Sequence, residues 1–261
     1  MTLPAVPDAF YWTDEPWGAV LRCRPLDEVA PHLFTTRALD VTLEGPAEPL
    51  RAGVGARDVS MATQVHGRAV VVVGPGHDAA ARPEADALVT RQPGRAVAVR
   101  AADCAPLLLA DRVTGAVAAV HAGWRGTAAG AATAGLHAMG REFGTRPEDV
   151  VVAIGPSIGP CCYEVGSELV DAFAAAGHER YLIQRWFATP PPPRGSRVRP
   201  ALRLDVAGAN RDQLVLAGVP EDQIHLSGLC TAMHLDVLTS YRAEKERAGR
   251  LAAVIAPRPR G

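Results

Sequence analysis

Three short segments each carry one metal-ligating residue type: Gln64-Val65-His66-Gly67, Ala102-Asp103-Cys104-Ala105-Pro106 and His121-Ala122-Gly123-Trp124-Arg125-Gly126. His66, Cys104 and His121 together offer two imidazoles and a thiolate. Three protein ligands is the number a catalytic zinc site uses while it keeps a fourth position for water or substrate. An open zinc position lowers the pKa of water from about 15.7 toward 7, which suits hydrolytic chemistry. Asp103, beside Cys104, is the candidate proton carrier or ligand-orienting carboxylate. Arg125 and the glycines around it lead into a helix expected to start near Thr127 and to be capped by it, where free N–H groups and a guanidinium would hold phosphate or another oxyanion. Two other readings stay open at Cys104: a thiol nucleophile with His121 as its base, or a structural zinc completed by Cys161 or Cys162.

Positioning those residues requires rigid elements, and the hydrophobic pattern supplies them. Short apolar, β-branched runs at Ala19 to Cys23, Ala69 to Val73, Ala96 to Val99, Pro106 to Leu109, Gly115 to Val120, Val150 to Ile154 and Leu251 to Ile255 read as buried strands. Thr127 to Phe143, Gly166 to Ala176 and Leu204 to Leu216 have helical spacing. Interleaved strands and helices point to an α/β or α+β chain. The proline run Pro190 to Pro193 reads as an extended surface loop.

Composition excludes several function classes. The chain has 261 residues, 48% of them hydrophobic, and a formal net charge of -1, so no electrostatic case exists for nucleic acid or an anionic membrane. No signal peptide or spanning segment is evident, making the cytoplasm the expected location. Five cysteines without a CxxC argue against a disulfide framework or a zinc ribbon. Lys245 is the only lysine and sits in the charged run Arg242 to Arg250, which reads as solvated, so P-loop and Schiff-base chemistry are disfavoured. With eight histidines and no His-x-His, the chain is poorly equipped for a multicopper phenol oxidase, although a Cys–His site admits copper. No coiled-coil heptads call for a partner, and a monomer is expected.

These segments, with Phe34-Thr35-Thr36-Arg37, Ala85-Asp86-Ala87-Leu88-Val89-Thr90 and the stretch Ile154 to Val165, resemble a bacterial family described as multicopper polyphenol oxidase or laccase-domain proteins. Its members are regarded as zinc-dependent purine nucleoside phosphorylases with adenosine deaminase and methylthioadenosine phosphorylase activity. Leu204-Asp205, Ala209-Asn210-Arg211, Cys230-Thr231, Ser240-Tyr241-Arg242 and Gly249-Arg250 extend the likeness across residues 34–255. The resemblance implies a single α/β domain with mixed sheets flanked by helices, spanning 1–261. It implies His66, Cys104 and His121 as ligands of zinc, with copper as the second candidate. Asp103, Cys104 and Arg125 become the expected catalytic residues, and Arg37, Gln64, Gly123, Trp124, Gly126 and Tyr163 the expected substrate-binding ones. Adenosine, inosine, guanosine or methylthioadenosine, with phosphate, are the implied substrates. The sequence departs from the family after Arg37, where Ala38 to Leu43 replaces a glycine-containing loop, and substrate preference is expected to change there.

Overall fold

The chain folds around two six-stranded mixed sheets, seen in a computed structural model that describes residues 2–42, 47–189 and 200–258. The first sheet contains β1 (Phe10–Glu15), β2 (Gly18–Cys23), β3 (His32–Thr35), β4 (Asp58–Ser60), β7 (Arg95–Ala101) and β14 (Leu251–Ile255), ordered β1-β2-β3-β14-β7-β4. All its neighbours are antiparallel except β4 and β7. The second contains β5 (Val70–Val73), β6 (Ala87–Thr90), β8 (Ala105–Asp111), β9 (Val117–Ala122), β10 (Val150–Ile154) and β13 (Ile224–Leu226), ordered β13-β10-β8-β9-β6-β5. Its two outermost pairs are parallel and the inner ones antiparallel. The pair β11 (Phe187–Ala188) and β12 (Arg203–Leu204) forms a small ribbon.

Side-chain alternation explains why the sheets stack. In β8, Leu108 and Ala110 turn toward the first sheet and join Val97, Val99, Ala253 and Ile255 in one core. Leu107 and Leu109 point the other way, into a second core with Leu136, Met139, Phe173 and Trp186. Burial on both faces is what makes this strand read as a continuous apolar run. The helices that cover the second core are α3 (Trp124–Ala129), α4 (Ala131–Phe143), α5 (Ser167–Ala175), α6 (Arg180–Trp186) and α7 (Val206–Leu216). On the opposite side α2 (Glu48–Gly53) closes a third core with Leu33, Met61 and Val254. Two short helices, α1 (Arg24–Asp27) and α8 (Tyr241–Glu244), sit in connections.

Every apolar run expected as a strand forms one, and the mixed α/β class stands. One helix differs from expectation. The expected stretch from Thr127 is two helices, because Gly130 adopts φ 78 and breaks the chain between α3 and α4. The first starts at Trp124, with Gly123 as its cap, so Thr127 caps nothing. Thr127 is buried instead; its amide bonds the Gly123 carbonyl at 2.8 Å and its hydroxyl accepts from Asn210 at 2.9 Å. The proline run 190–193 lies outside the described residues.

Candidate metal centre and its cavity

The two sheets exchange the chain at one end, and the three ligand segments lie there. Residues 102–104 carry the backbone from the end of β7 in one sheet to the start of β8 in the other. Antiparallel pairing sets Ala105 opposite Ala122 and Pro106 opposite His121, so Cys104 and His121 meet at the same edge. The loop after β4 brings His66 to them. The ligand atoms of His66, Cys104 and His121 lie within 4.8 Å of one another, and the two imidazoles meet edge to face with centroids 4.9 Å apart.

Asp86 organises this cluster from beneath. It is fully buried, just before β6, and its Oδ1 meets His121 Nδ1 at 2.8 Å. The same carboxylate accepts the amide protons of His66 (2.9 Å), Gly67 (2.6 Å) and Val65 (3.3 Å). With Nδ1–H donated to Asp86, His121 keeps Nε2 for a metal, the usual carboxylate–histidine arrangement. Holding the loop on one carboxylate puts His66 at φ 61, in the left-handed region that costs energy for any residue with a Cβ. Burial would lift Asp86, but His121 and the Gly67 and His66 amides outweigh it and hold the carboxyl below its usual range.

The electrostatics of the trio match a metal-binding donor set. Burial would raise the Cys104 thiol, yet contacts with His121 and His66 bring it down to about 6. Burial would lower His121, yet Asp86 and Cys104 push it up to about 9. A thiolate next to a cationic imidazole is the proton arrangement that a divalent ion replaces on binding. Space is reserved as well: a Cβ on Gly123 would stand 2.7 Å from Cys104 Sγ and 3.2 Å from the His66 ring. The donor set and the emptied space fit zinc with an open fourth position.

The trio opens into a cavity of about 620 Å³. Gln64, Gly123, Trp124 and Tyr163 line it with the three ligands and Asp103. Gln64 has its whole side-chain amide engaged with the backbone of Arg100, donating to its carbonyl at 2.7 Å and accepting its N–H at 2.9 Å. Asp103, at φ 87, accepts the Thr231 hydroxyl and the Arg242 amide, both at 2.6 Å, and so anchors the start of α8. Arg37, Arg125 and Gly126 lie outside the cavity wall. Arg37 bonds Glu244 at 3.1 Å and the carbonyls of Leu235 and Leu238. Arg125 is exposed and stacks on Trp124, 4.3 Å from the ring centroid. Gly126 packs under Gly67, where a Cβ would sit 3.1 Å from the Gly67 carbonyl.

Positive charge in the cavity comes from residues for which the sequence implied no site role. Arg100, Arg242, Lys245 and Arg250 line it, so the run 242–250 is a cavity wall as well as a solvated surface. Arg100 Nε is buried without a hydrogen-bond partner. Burial, then Arg250 and Arg82, lower the Arg100 guanidinium from its usual value. The departing segment after Arg37 reaches this wall: Asp40 accepts the Arg250 amide at 2.7 Å, and Val41 bonds its carbonyl at 2.9 Å. Asp86 was also passed over. An ionisable residue opening an apolar strand is the signal that could have found it. Cys161 and Cys162 do not complete the trio; they gather with Cys230 in a separate group.

Residues 47–258 match the family model for multi-copper polyphenol oxidoreductase laccase. The chain belongs to that family. Within this laccase family the named relatives carry other activities in their names. A protein called purine nucleoside phosphorylase from Bacteroides thetaiotaomicron is 40% identical over 168 residues, which is 64% of this chain and 58% of the relative. Another of that name from Deinococcus radiodurans is 37% identical over 254 residues, covering 88% of this chain and 91% of the relative. A protein called adenosine deaminase from an unknown prokaryotic organism is 37% identical over 209 residues, 77% of this chain and 76% of the relative. The crystal structure of hypothetical protein YfiH from Bacillus licheniformis superposes with a TM-score of 0.81 at 25% identity, covering 97% of this chain and 100% of that one. That structure shares the fold of this chain over nearly its whole length. No helix of the described residues is long and apolar enough to cross a membrane.

Proposed function

We propose that this chain is a purine nucleoside phosphorylase that cleaves adenosine, inosine, guanosine and methylthioadenosine with phosphate, and that it also deaminates adenosine with zinc at His66, Cys104 and His121. The observation that carries this reading is the pairing, in one cavity, of that ligand trio with a cationic wall containing an unpartnered Arg100 Nε. The names of the relatives point to the same chemistry. We take the chain to act as a monomer in the cytoplasm and 1–261 as one domain.

Bound zinc would supply Lewis acidity at the open edge of the trio. Arg100, Lys245 and Arg250 hold phosphate against the sugar, each contributing charge where the pentose–purine bond breaks. Gln64 keeps Arg100 aimed by gripping its backbone on both sides. Trp124 and Tyr163 flank the purine, and Gly123 leaves the space beside Cys104 free for its edge. Asp103 fixes the Arg242 amide and the Thr231 hydroxyl, so its use as a proton carrier requires one of those bonds to open. Arg125 and Arg37 act from outside the wall, through Trp124 and α8 respectively.

Product analysis tests the proposal. Zinc-loaded protein incubated with adenosine should release adenine only when phosphate is present, and inosine with or without it. No turnover of adenosine, inosine, guanosine or methylthioadenosine would sink the reading.

One observation favours a second reading. Cys104, His121 and Asp86 are connected in the order of a nucleophile, a base and its orienting carboxylate. As a free nucleophile, Cys104 would be alkylated quickly in the metal-loaded protein. As a ligand it should resist until a chelator is added.

A further inference from the structure

Cys161, Cys162 and Cys230 bring three sulfurs within 4.8 Å of one another. Two stretches of chain are zipped together to achieve this. Ser157 pairs with Cys230 in a parallel bridge, the Ser157 amide bonds Leu229 O at 3.2 Å, and the Thr231 amide bonds Ser157 O at 3.1 Å. A turn follows at once, with the Cys162 and Tyr163 amides both bonding Gly159 O at 3.0 Å. It folds Cys161 and Cys162 back over Cys230. Gly159 lies under the cluster: a Cβ there would meet Cys161 Sγ at 3.3 Å and Cys230 Sγ at 3.7 Å. Its N–H already donates to Cys230 Sγ at 3.2 Å. Arg203 donates to the carbonyls of Cys161 and Pro160, placing a fixed cation beside the sulfurs.

We propose that Cys161, Cys162 and Cys230 form a second metal site, a three-thiolate site for Cu(I), separate from His66, Cys104 and His121.

Ligand number and softness select the ion. A metal–sulfur bond of about 2.3 Å puts three sulfurs about 4 Å apart in a trigonal plane, inside the spacing found here. A structural zinc site of thiolates takes four protein ligands, and among the described residues this group offers three. Cu(I) is soft and is selected by thiolates. Cys161 is exposed, Cys162 half-buried and Cys230 buried, so the group is open on one side to an entering ion. Without a cation, thiols keep most of their protons near neutral pH. Binding one Cu(I) therefore releases three protons to solvent and leaves a complex of charge −2, which Arg203 partly offsets. No electron is transferred.

The test uses full-length protein with zinc already bound, kept anaerobic, and titrated with Cu(I) against a coloured Cu(I) chelator. Wild type should take up one tight equivalent that Cys161→Ser and Cys162→Ser both lose, while all three proteins retain zinc. X-ray absorption at the copper edge of wild type needs no variant and should show a sulfur-only first shell of three. Equal copper uptake by wild type and both variants would overturn the proposal. So would nitrogen in the copper shell with release of zinc, or a disulfide within the group that persists under reductant.

Discussion

Asp86 and His121 are joined at 2.8 Å between Oδ1 and Nδ1, with both residues buried, and the same carboxylate carries the backbone of the His66 loop. One side chain thereby positions two candidate metal ligands that are 55 positions apart in the numbering. Its loss would free the His121 ring and leave three amide donors without their acceptor.

Asp86→Ala should therefore weaken zinc binding by roughly 10–100-fold, the usual cost of losing such a carboxylate. It should also lower the melting temperature of the metal-free protein, since unpaired amides cost about 1–3 kcal/mol each when they stay buried. Chelator competition reads the first effect and thermal unfolding the second. Unchanged zinc affinity would mean that His121 is held by its strand alone.

Gly123→Ala separates the site from the fold. At φ -72 and ψ 176 the backbone accepts alanine, so only the added methyl matters. That methyl would press on Cys104 Sγ, and zinc per chain should fall steeply. The metal-free protein should melt within a few degrees of wild type. Full zinc occupancy in this variant would contradict the geometry of the trio.

Arg100→Met should raise the KM for phosphate by about 10–100-fold, because a hydrogen bond to a charged group is worth about 1.5–3 kcal/mol. Arg125→Ala should change it far less, since that side chain lies on Trp124 outside the cavity. Steady-state kinetics with varied phosphate compare the two, and the reverse ranking would return the anion to the start of α3.

His32 makes acid stability testable. It is fully buried, accepts the Cys23 amide at 2.9 Å, and burial holds it down to about 4 from 6.5, against the pull of Asp27. The unfolded chain binds this proton first, so its contribution is complete above about pH 6.5 and is lost as pH falls toward 4. The full difference is about 3 kcal/mol. Denaturant unfolding at pH 7 and 4.5 should show most of that loss in wild type and a flatter profile in His32→Gln. Parallel pH profiles would place the acid sensitivity elsewhere.

Much of the core was legible because strands such as β8 and β9 are buried on both faces and so spell out unbroken apolar runs. The edge strand β1, Phe10–Glu15, mixes aromatic and charged residues and gives no such run. Helix α6 is equally mixed, with three buried residues among its seven. At the site, His66, Cys104 and His121 stood out by residue type and setting. The cationic wall did not, because Arg100 and the segment 242–250 are far apart in sequence and converge only through the pairing of β7 with β14. The helix start was misplaced because Gly123 and Gly126 look like loop residues when their tight packing cannot be seen.

The three-residue passage 102–104 has a consequence for how this chain can vary. Side chains alternate faces along a strand, so shifting a strand by one position turns every one of them over. Adding or deleting one residue between Ala101 and Ala105 would force one of the two sheets to slip in register. It would send Leu108 and Ala110 toward the helices or Val97 and Val99 toward α2. Substituting Cys104 would take one donor from the candidate metal centre and leave the sheets in place, whereas a change of length there would disturb both. Insertions can accumulate in the outer connections, but this stretch must keep its count.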